Sequence, residues 1–211
     1  MLEIKSAHMF KSKSIPVLQR AKRLLGFTLI ELVVTISLIA VLASLAVPSY
    51  RAFIVNQQLT AASGDFMVSL LQARSEAVRL GKNVAVAPVD GTNWTSGWNV
   101  FQDTDCTGTY SSTNSATNTL VVTSQAMGPA VSVVAGSTAT SSSFAAAQPF
   151  FAFAPSGFIT PYSCAYAAST LSNGKLWLTA AETGRNRVVI VAITGRARVC
   201  IPSATDNCSA D

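Results

Sequence analysis

The chain has 211 residues, 49% of them hydrophobic and only 12% charged, with a formal net charge of +5. The length allows one ordinary domain plus a further segment, and so few charges are unusual for a free cytosolic protein. The net charge excludes less than it suggests. Residues 1–26 hold Lys5, Lys11, Lys13, Arg20, Lys22 and Arg23 against Glu3, whereas nine basic and nine acidic side chains cancel from Phe27 onward. The body is therefore neutral with a basic end, not a uniformly basic protein: no Lys or Arg lies between Asn83 and Gly174, and Lys175, Arg185, Arg187, Arg196 and Arg198 then face only Glu182.

From Phe27 to Val47 the chain reads FTLIELVVTISLIAVLASLAV, with Glu31 its single charge. As a helix this run spans about 31 Å, the thickness of a bilayer's hydrocarbon core. Six basic residues before it, and Arg51 alone soon after, orient the first 26 residues to the cytoplasm and the remainder to the other side. An ordinary secretory signal has a shorter apolar stretch followed by a small-residue cleavage site, which Ala-Ser-Leu-Ala at 43–46 only loosely imitates. A carboxylate inside an apolar helix is costly in lipid, so Glu31 is expected to have a partner or a task.

Gly26-Phe27-Thr28-Leu29-Ile30-Glu31-Leu32 resembles the prepilin cleavage motif of type IV pilins and type II secretion pseudopilins. The resemblance implies a leader, residues 1–26, removed after Gly26 by a prepilin peptidase that also N-methylates Phe27. It gives Glu31 the place of the fifth mature residue and Pro48 that of the proline kink. In a filament the Glu31 carboxylate would pair with the free amine of a neighbour's Phe27, offsetting a burial cost of several kcal/mol. The implied setting is the inner membrane, single-pass, with the globular part in the periplasm before assembly into a pilus or pseudopilus. An inner-membrane assembly platform and other pilins would be the partners.

Beyond Pro48 the apolar positions Leu59, Ala62, Phe66, Leu70, Ala73 and Ala77 recur at steps of three and four, which predicts a helix with one buried face. Gln58, Ser63, Asp65, Ser69 and Arg74 fall elsewhere around it, and Arg79 followed by Gly81 marks its end. The helix is thus expected over 27–81, its apolar half 27–47. In 82–211 the period becomes strand-like. Strands are predicted at Asn83–Ala87, Trp98–Gln102, Leu120–Gln125, Val131–Val134, Pro149–Ala154, Lys175–Thr179, Arg187–Ile193 and Ala197–Ile201, separated by Gly-, Pro- and Asn-containing turns. Thr107–Asn118 and Gly136–Ser143 are Ser/Thr-rich and predicted as loops. The expected class is α+β: a long N-terminal helix packed on a C-terminal antiparallel β-sheet domain, the pilin fold that the resemblance also implies.

The cysteines Cys106, Cys164, Cys200 and Cys208 fit no metal spacing, and an even number outside a membrane favours disulfides. Three pairings are possible; a local Cys200–Cys208 loop with a longer Cys106–Cys164 tie is preferred.

Enzymatic sites are hard to build here. The one histidine, His8, lies in the first 26 residues, which removes the common general base and histidine-rich metal sites from the rest. Asp103-Thr104-Asp105-Cys106-Thr107-Gly108 begins like a calcium loop, but position twelve is Asn114 instead of Glu, so a polar turn is preferred and neither metal nor cofactor is expected.

Gly195-Arg196-Ala197-Arg198 carries the sharper hypothesis. In an extended chain Arg196 and Arg198 share a face about 6.6 Å apart, a fork suited to phosphates without reading bases. Gly184-Arg185-Asn186-Arg187 is a second copy; placed at the opposite end of one strand, it need not form one patch with the first, and Lys175 and Arg185 are open to either site. Such arginines also serve simply as solvated strand edges. With Ala73-Arg74-Ser75-Glu76-Ala77 and Gly97-Trp98-Asn99-Val100-Phe101-Gln102-Asp103, the element resembles the FimT/GspH minor pilins and pseudopilins. In FimT-type pilins G-R-x-R is associated with binding DNA during its uptake, which implies DNA-binding roles for Gly195, Arg196 and Arg198, with Arg185, Arg187 and Lys175 as further DNA-binding candidates. The expectation is a minor pilin serving natural transformation; the rival is a type II secretion pseudopilin that primes or caps its filament and binds no DNA.

Overall fold

The structure is a computed structural model; it describes residues 26–113, 118–134, 150–160, 173–203 and Cys208. One helix, α1 (Leu29–Leu80), occupies the N-terminal part. By compactness the chain divides into two units, Met1–Ser44 and Leu45–Asp211.

In the first unit every described residue is exposed, including Leu29, Ile30, Ile36, Leu38 and Leu42. The hydroxyls along this stretch are satisfied by the helix itself. Thr35 donates to the carbonyl of Leu32 (2.8 Å), Ser37 to Val33 (2.7 Å) and Ser44 to Val41 (2.7 Å). An apolar helix whose few polar groups close onto its own backbone suits a medium without water. By length and composition α1 qualifies to cross a membrane, its most apolar window having a mean hydropathy of 2.5.

The second unit begins with the remainder of α1, which carries Pro48 within it and ends where Gly81 adopts a φ of 64°. All six residues of the predicted apolar stripe are buried. The buried band is wider than that stripe, because Ser63 and Ser69 are also buried, their hydroxyls returned to the carbonyls of Thr60 (2.9 Å) and Asp65 (2.9 Å). Arg74 and Gln58 do not face open water either: Arg74 Nε donates to the carbonyl of Gly157 (3.0 Å), and the amide N–H of Ala130 donates to Gln58 Oε1 (3.4 Å).

Among the described residues eight strands follow: β1 (Val84–Pro88), β2 (Trp98–Asp103), β3 (Asn118–Thr123), β4 (Val131–Val133), β5 (Phe151–Phe153), β6 (Gly174–Ala180), β7 (Arg185–Val191) and β8 (Ala197–Cys200). They form two four-stranded sheets, ordered β3-β2-β1-β5 and β4-β6-β7-β8, with every pairing antiparallel. Each predicted strand is present, but β3 and β7 each start two residues early, and β3 takes in Asn118, predicted as the end of a loop. The turn after β6 is tight, with the Gly184 N–H donating to the carbonyl of Ala180 (2.9 Å), so pairing resumes at once between Ala180 and Arg185. Position 149 and residues 114–117 and 136–143 of the predicted elements lie outside the described residues.

The main core lies between α1 and the two sheets and is centred on Phe66, whose ring is 5.0 Å from Trp94, 5.2 Å from Trp98 and 5.6 Å from Phe151. Edge-to-face packing of this kind contributes beyond simple burial. The opposite face of each sheet has its own smaller cluster. Phe101, Phe150 and Ala152 meet on the first sheet. On the second, Val188 and Ile190 pack with Trp177 and the Cys200–Cys208 disulfide. Cys106 is also disulfide-bonded; Cys164, its preferred partner, lies outside the described residues.

Candidate functional site

The two G-R-x-R copies stand at opposite ends of β7, and the pairing register decides which way each points. Antiparallel partners directly opposite one another share a face. Ile190 pairs with Lys175 on one side and Arg198 on the other, so these three residues form a row across β6, β7 and β8. The row is on the outer face, where Ile190 is buried with Val188, and its two cations are two strand spacings apart, about 9.6 Å.

Arg196 precedes β8 in a turn closed by Ala192 N–H donating to the carbonyl of Arg196 (2.9 Å) and Gly195 N–H to that of Ala192 (2.8 Å). Ala197 is buried in the main core while Arg196 is exposed and Arg198 half-buried. The alternation puts both guanidiniums on the outer face. Lys175, Arg196 and Arg198 thus converge on one side of the second sheet.

Gly195 has a φ of 77° and is buried. A Cβ there would overlap the carbonyl oxygen of Gly157, the same atom that accepts from Arg74. The motif's glycine is therefore required by packing as well as by the turn: it lets the β7–β8 hairpin close on the Pro155–Gly157 turn and on α1. Neither Arg74 nor Gly157 was singled out for this role in the sequence, although an arginine beside an apolar helix stripe and a Pro-Ser-Gly turn were both visible.

Arg185 and Arg187 do not join this face. They pair with Ala180 and Leu178, both in the main core. They therefore emerge on the side of the sheet that faces α1. Arg187 Nη2 donates to Thr60 Oγ1 (3.0 Å), and Thr183 Oγ1 donates to Asn56 Oδ1 (3.3 Å) beside it. Of the residues open to either site, Lys175 sides with the C-terminal copy and Arg185 with its own.

The Asp103 loop folds around its own backbone. Asp103 Oδ1 accepts from the N–H of Thr107 (3.1 Å) and Oδ2 from that of Gly108 (2.9 Å), and Thr107 Oγ1 donates to Asp105 Oδ1 (3.1 Å). Burial, then a hydrogen bond with Asp105, pushes the Asp103 carboxyl up to about 6, while the same hydrogen bond holds Asp105 low.

At the start of α1 the Glu31 N–H donates to Thr28 Oγ1 (3.3 Å), and that of Leu32 to the Thr28 carbonyl (3.1 Å). Thr28 caps the helix with Glu31 at the third helical position, the sequence arrangement of a capping box. A carboxylate there is also favoured by the helix dipole.

A family model described as "Type II transport protein GspH" matches residues 62–195, more than half of the chain. The chain belongs to the GspH family. A model of the prokaryotic N-terminal methylation motif matches residues 22–47 of this GspH-family chain and so includes Gly26, Phe27 and Glu31. Two crystal forms of the type IV minor pilin FimU of Pseudomonas aeruginosa (strain PAO1) are similar in structure. The P65 form has 15% identity and a TM-score of 0.46, covering 67% of this chain and 91% of FimU. The P21 form has 14% identity and a TM-score of 0.47, covering 73% and 95%. None of the curated proteins matches. Membership makes this GspH-family chain a minor pilin or pseudopilin, a structural protein that assembles with other pilins after prepilin peptidase processing. The apolar helix and the motif fit a membrane-anchored pilin with a globular domain.

Proposed function

We propose that the protein is a minor pilin that joins or caps a type IV pilus and binds DNA through Arg196 and Arg198, supporting DNA uptake in natural transformation. The observation that carries this reading is the convergence of Arg196, Arg198 and Lys175 on the outer face of the second sheet, in a body that is neutral as a whole. Guanidiniums and an ammonium spaced about 6–10 Å apart across a sheet suit successive phosphates of a nucleic-acid strand and carry no base readout. Three cations give modest, salt-sensitive affinity, which multiple subunits would raise. Gly195 positions the pair through its contact with the Gly157 turn.

In the same reading residues 1–26 are removed after Gly26, and Phe27 becomes the N-methylated end. The chain waits in the inner membrane with its globular domain in the periplasm until the assembly platform inserts it. Glu31, already within the first turn of α1, then meets the amine of a neighbouring Phe27.

The test is DNA binding by the chain in detergent micelles, measured by anisotropy of a short labelled duplex at low and moderate salt. Binding that falls with salt and is lost in Arg196→Gln with Arg198→Gln supports the reading, as does loss of DNA uptake by that double variant in cells with normal piliation. Unchanged uptake in those cells sinks it.

A second reading is favoured by the family model itself, whose description names type II transport. A pseudopilin that primes or caps a secretion filament would use the same N-terminal motif and the same fold. It predicts no binding to the duplex even at low salt, and a secretion defect on deletion.

A further inference from the structure

The face of the second sheet turned toward α1 holds a separate feature: a cleft of about 320 Å³ lined by Asn56, Leu59, Arg185, Arg187, Ile201 and Pro202, among others. Its cations are the second G-R-x-R copy. Arg185 and Arg187 project from the same side of β7, about 7 Å apart along the strand. Arg187 is half-buried and tied to a neutral hydroxyl, Thr60 Oγ1. Among the described residues neither guanidinium has an ion pair, and no acidic side chain lines the cleft. Arg185 is exposed and Arg187 half-buried; their like charges repel each other, and an anion seated between them relieves that repulsion. Both can present planar donor forks, which match a carboxylate bidentately.

The rest of the lining says what kind of anion. Leu59 at 2% exposure belongs to the apolar core, and Ile201, 64% exposed, stands beside the cleft as an unprotected apolar side chain. A carboxylate accompanied by an aliphatic side chain satisfies both halves. A nucleic-acid strand would satisfy the cations with phosphates, but its bases stack on aromatic side chains and none lines the cleft. The adjoining helix turn continues the apolar character outward, with Phe53 exposed at 55% and Ile54 at 36%.

We propose that this cleft docks an acidic peptide segment of a partner subunit, its carboxylate on Arg185 and Arg187 and a neighbouring aliphatic side chain against Ile201. The site is distinct from the outer face of Lys175, Arg196 and Arg198, and it stands whether or not that face binds DNA. The duplicated motif then serves two surfaces with different ligands: one copy outward for phosphates, the other inward for a protein carboxylate.

The probe is a labelled peptide, acetyl-Leu-Glu-Asp-Leu-amide, with acetyl-Leu-Gln-Asn-Leu-amide as its neutral counterpart, titrated into the full chain in detergent micelles. The acidic peptide binds and the neutral one does not. Arg185→Gln with Arg187→Gln weakens binding at least about tenfold, while Arg196→Gln with Arg198→Gln leaves it unchanged. Arg187→Lys keeps the charge and removes the fork; it weakens the acidic peptide even if the double variant fails to fold. A short DNA duplex added as competitor does not displace the peptide. Equal binding of the two peptides, or loss only in the Arg196 and Arg198 variant, overturns the proposal. Displacement by the duplex would show a phosphate site and overturns it too. A failure of the outer-face DNA reading leaves these peptide titrations unmoved, so the two proposals fail separately.

Discussion

Gly195 lies so close to Gly157 that a β-carbon at position 195 would overlap the Gly157 carbonyl oxygen, and the same oxygen accepts the 3.0 Å hydrogen bond from Arg74 Nε. Helix, turn and hairpin meet at that atom. Gly195→Ala must both hold a φ of 77° with a side chain and push the hairpin from the turn. We expect a loss of roughly 2–4 kcal/mol, read from urea unfolding, together with a shift of the Arg196 and Arg198 resonances. Arg74→Ala removes only the donor to one carbonyl and should cost less, about 1–3 kcal/mol. If Gly195→Ala unfolds at the wild-type midpoint, the hairpin is not seated on the turn as described.

The same contact illustrates what the sequence could and could not disclose. The buried stripe from Leu59 to Ala77 was readable because a helix has one period and one apolar face. The strands among the described residues were readable because their turns carry Gly, Pro and Asn. Which face each arginine takes was not readable. It depends on where β7 begins, and a shift of two residues keeps the face while a shift of one reverses it. Only the closure of Gly184 on Ala180 fixes that start, and only the pairing of Ile190 with Lys175 and Arg198 joins residues far apart in sequence. The division into two sheets, and the donation of Arg74 to a turn 83 residues away, are likewise long-range facts with no local signal.

Phe66 is fully buried and touches Trp94, Trp98 and Phe151 edge to face. It joins α1 to the 3-10 turn at Trp94–Ser96 and to β2 and β5 of the first sheet. Phe66→Ala should cost about 3–5 kcal/mol, the range for deleting a buried aromatic ring. Phe66→Leu, which leaves a smaller void, should cost clearly less. Tryptophan fluorescence during denaturant unfolding reports both, since two of the three partners are indoles. Equal costs for the two substitutions would show that the site collapses around the void.

Salt dependence separates the two arginine pairs without any structure of a complex. If Lys175 contacts a phosphate, Lys175→Gln should lower affinity for every DNA sequence alike and flatten the log–log salt slope by about 0.9. Arg185→Gln, on the other face of the sheet, should leave the slope where it was. A slope insensitive to Lys175 but reduced by Arg185→Gln would put the DNA on the α1 side, contrary to the register of β6, β7 and β8.

Asp103 and Asp105 give the globular unit a titration of its own. Burial raises the Asp103 carboxyl to about 6, and its hydrogen bond with Asp105 adds to the rise. In the unfolded chain the same group releases its proton near pH 4. Between about pH 4 and pH 6 the folded state therefore keeps a proton that the unfolded state has lost, and the stability this group contributes falls as pH rises through that window. Asp105, held low, acts in the other direction and only at more acidic pH, where its own protonation would remove stability. Carbon-13 titration of the side-chain carboxyls should find Asp103 titrating near 6. In Asp105→Asn the neighbouring charge is gone and Asp103 should titrate lower, though still above an ordinary carboxylate, because desolvation is the larger cause. Its two backbone donors, Thr107 and Gly108, remain in place in that variant and keep the loop closed. An Asp103 that titrates as an ordinary carboxylate in the wild-type chain would mean that water reaches it, and the stability loss from pH 4 to 6 should then be absent.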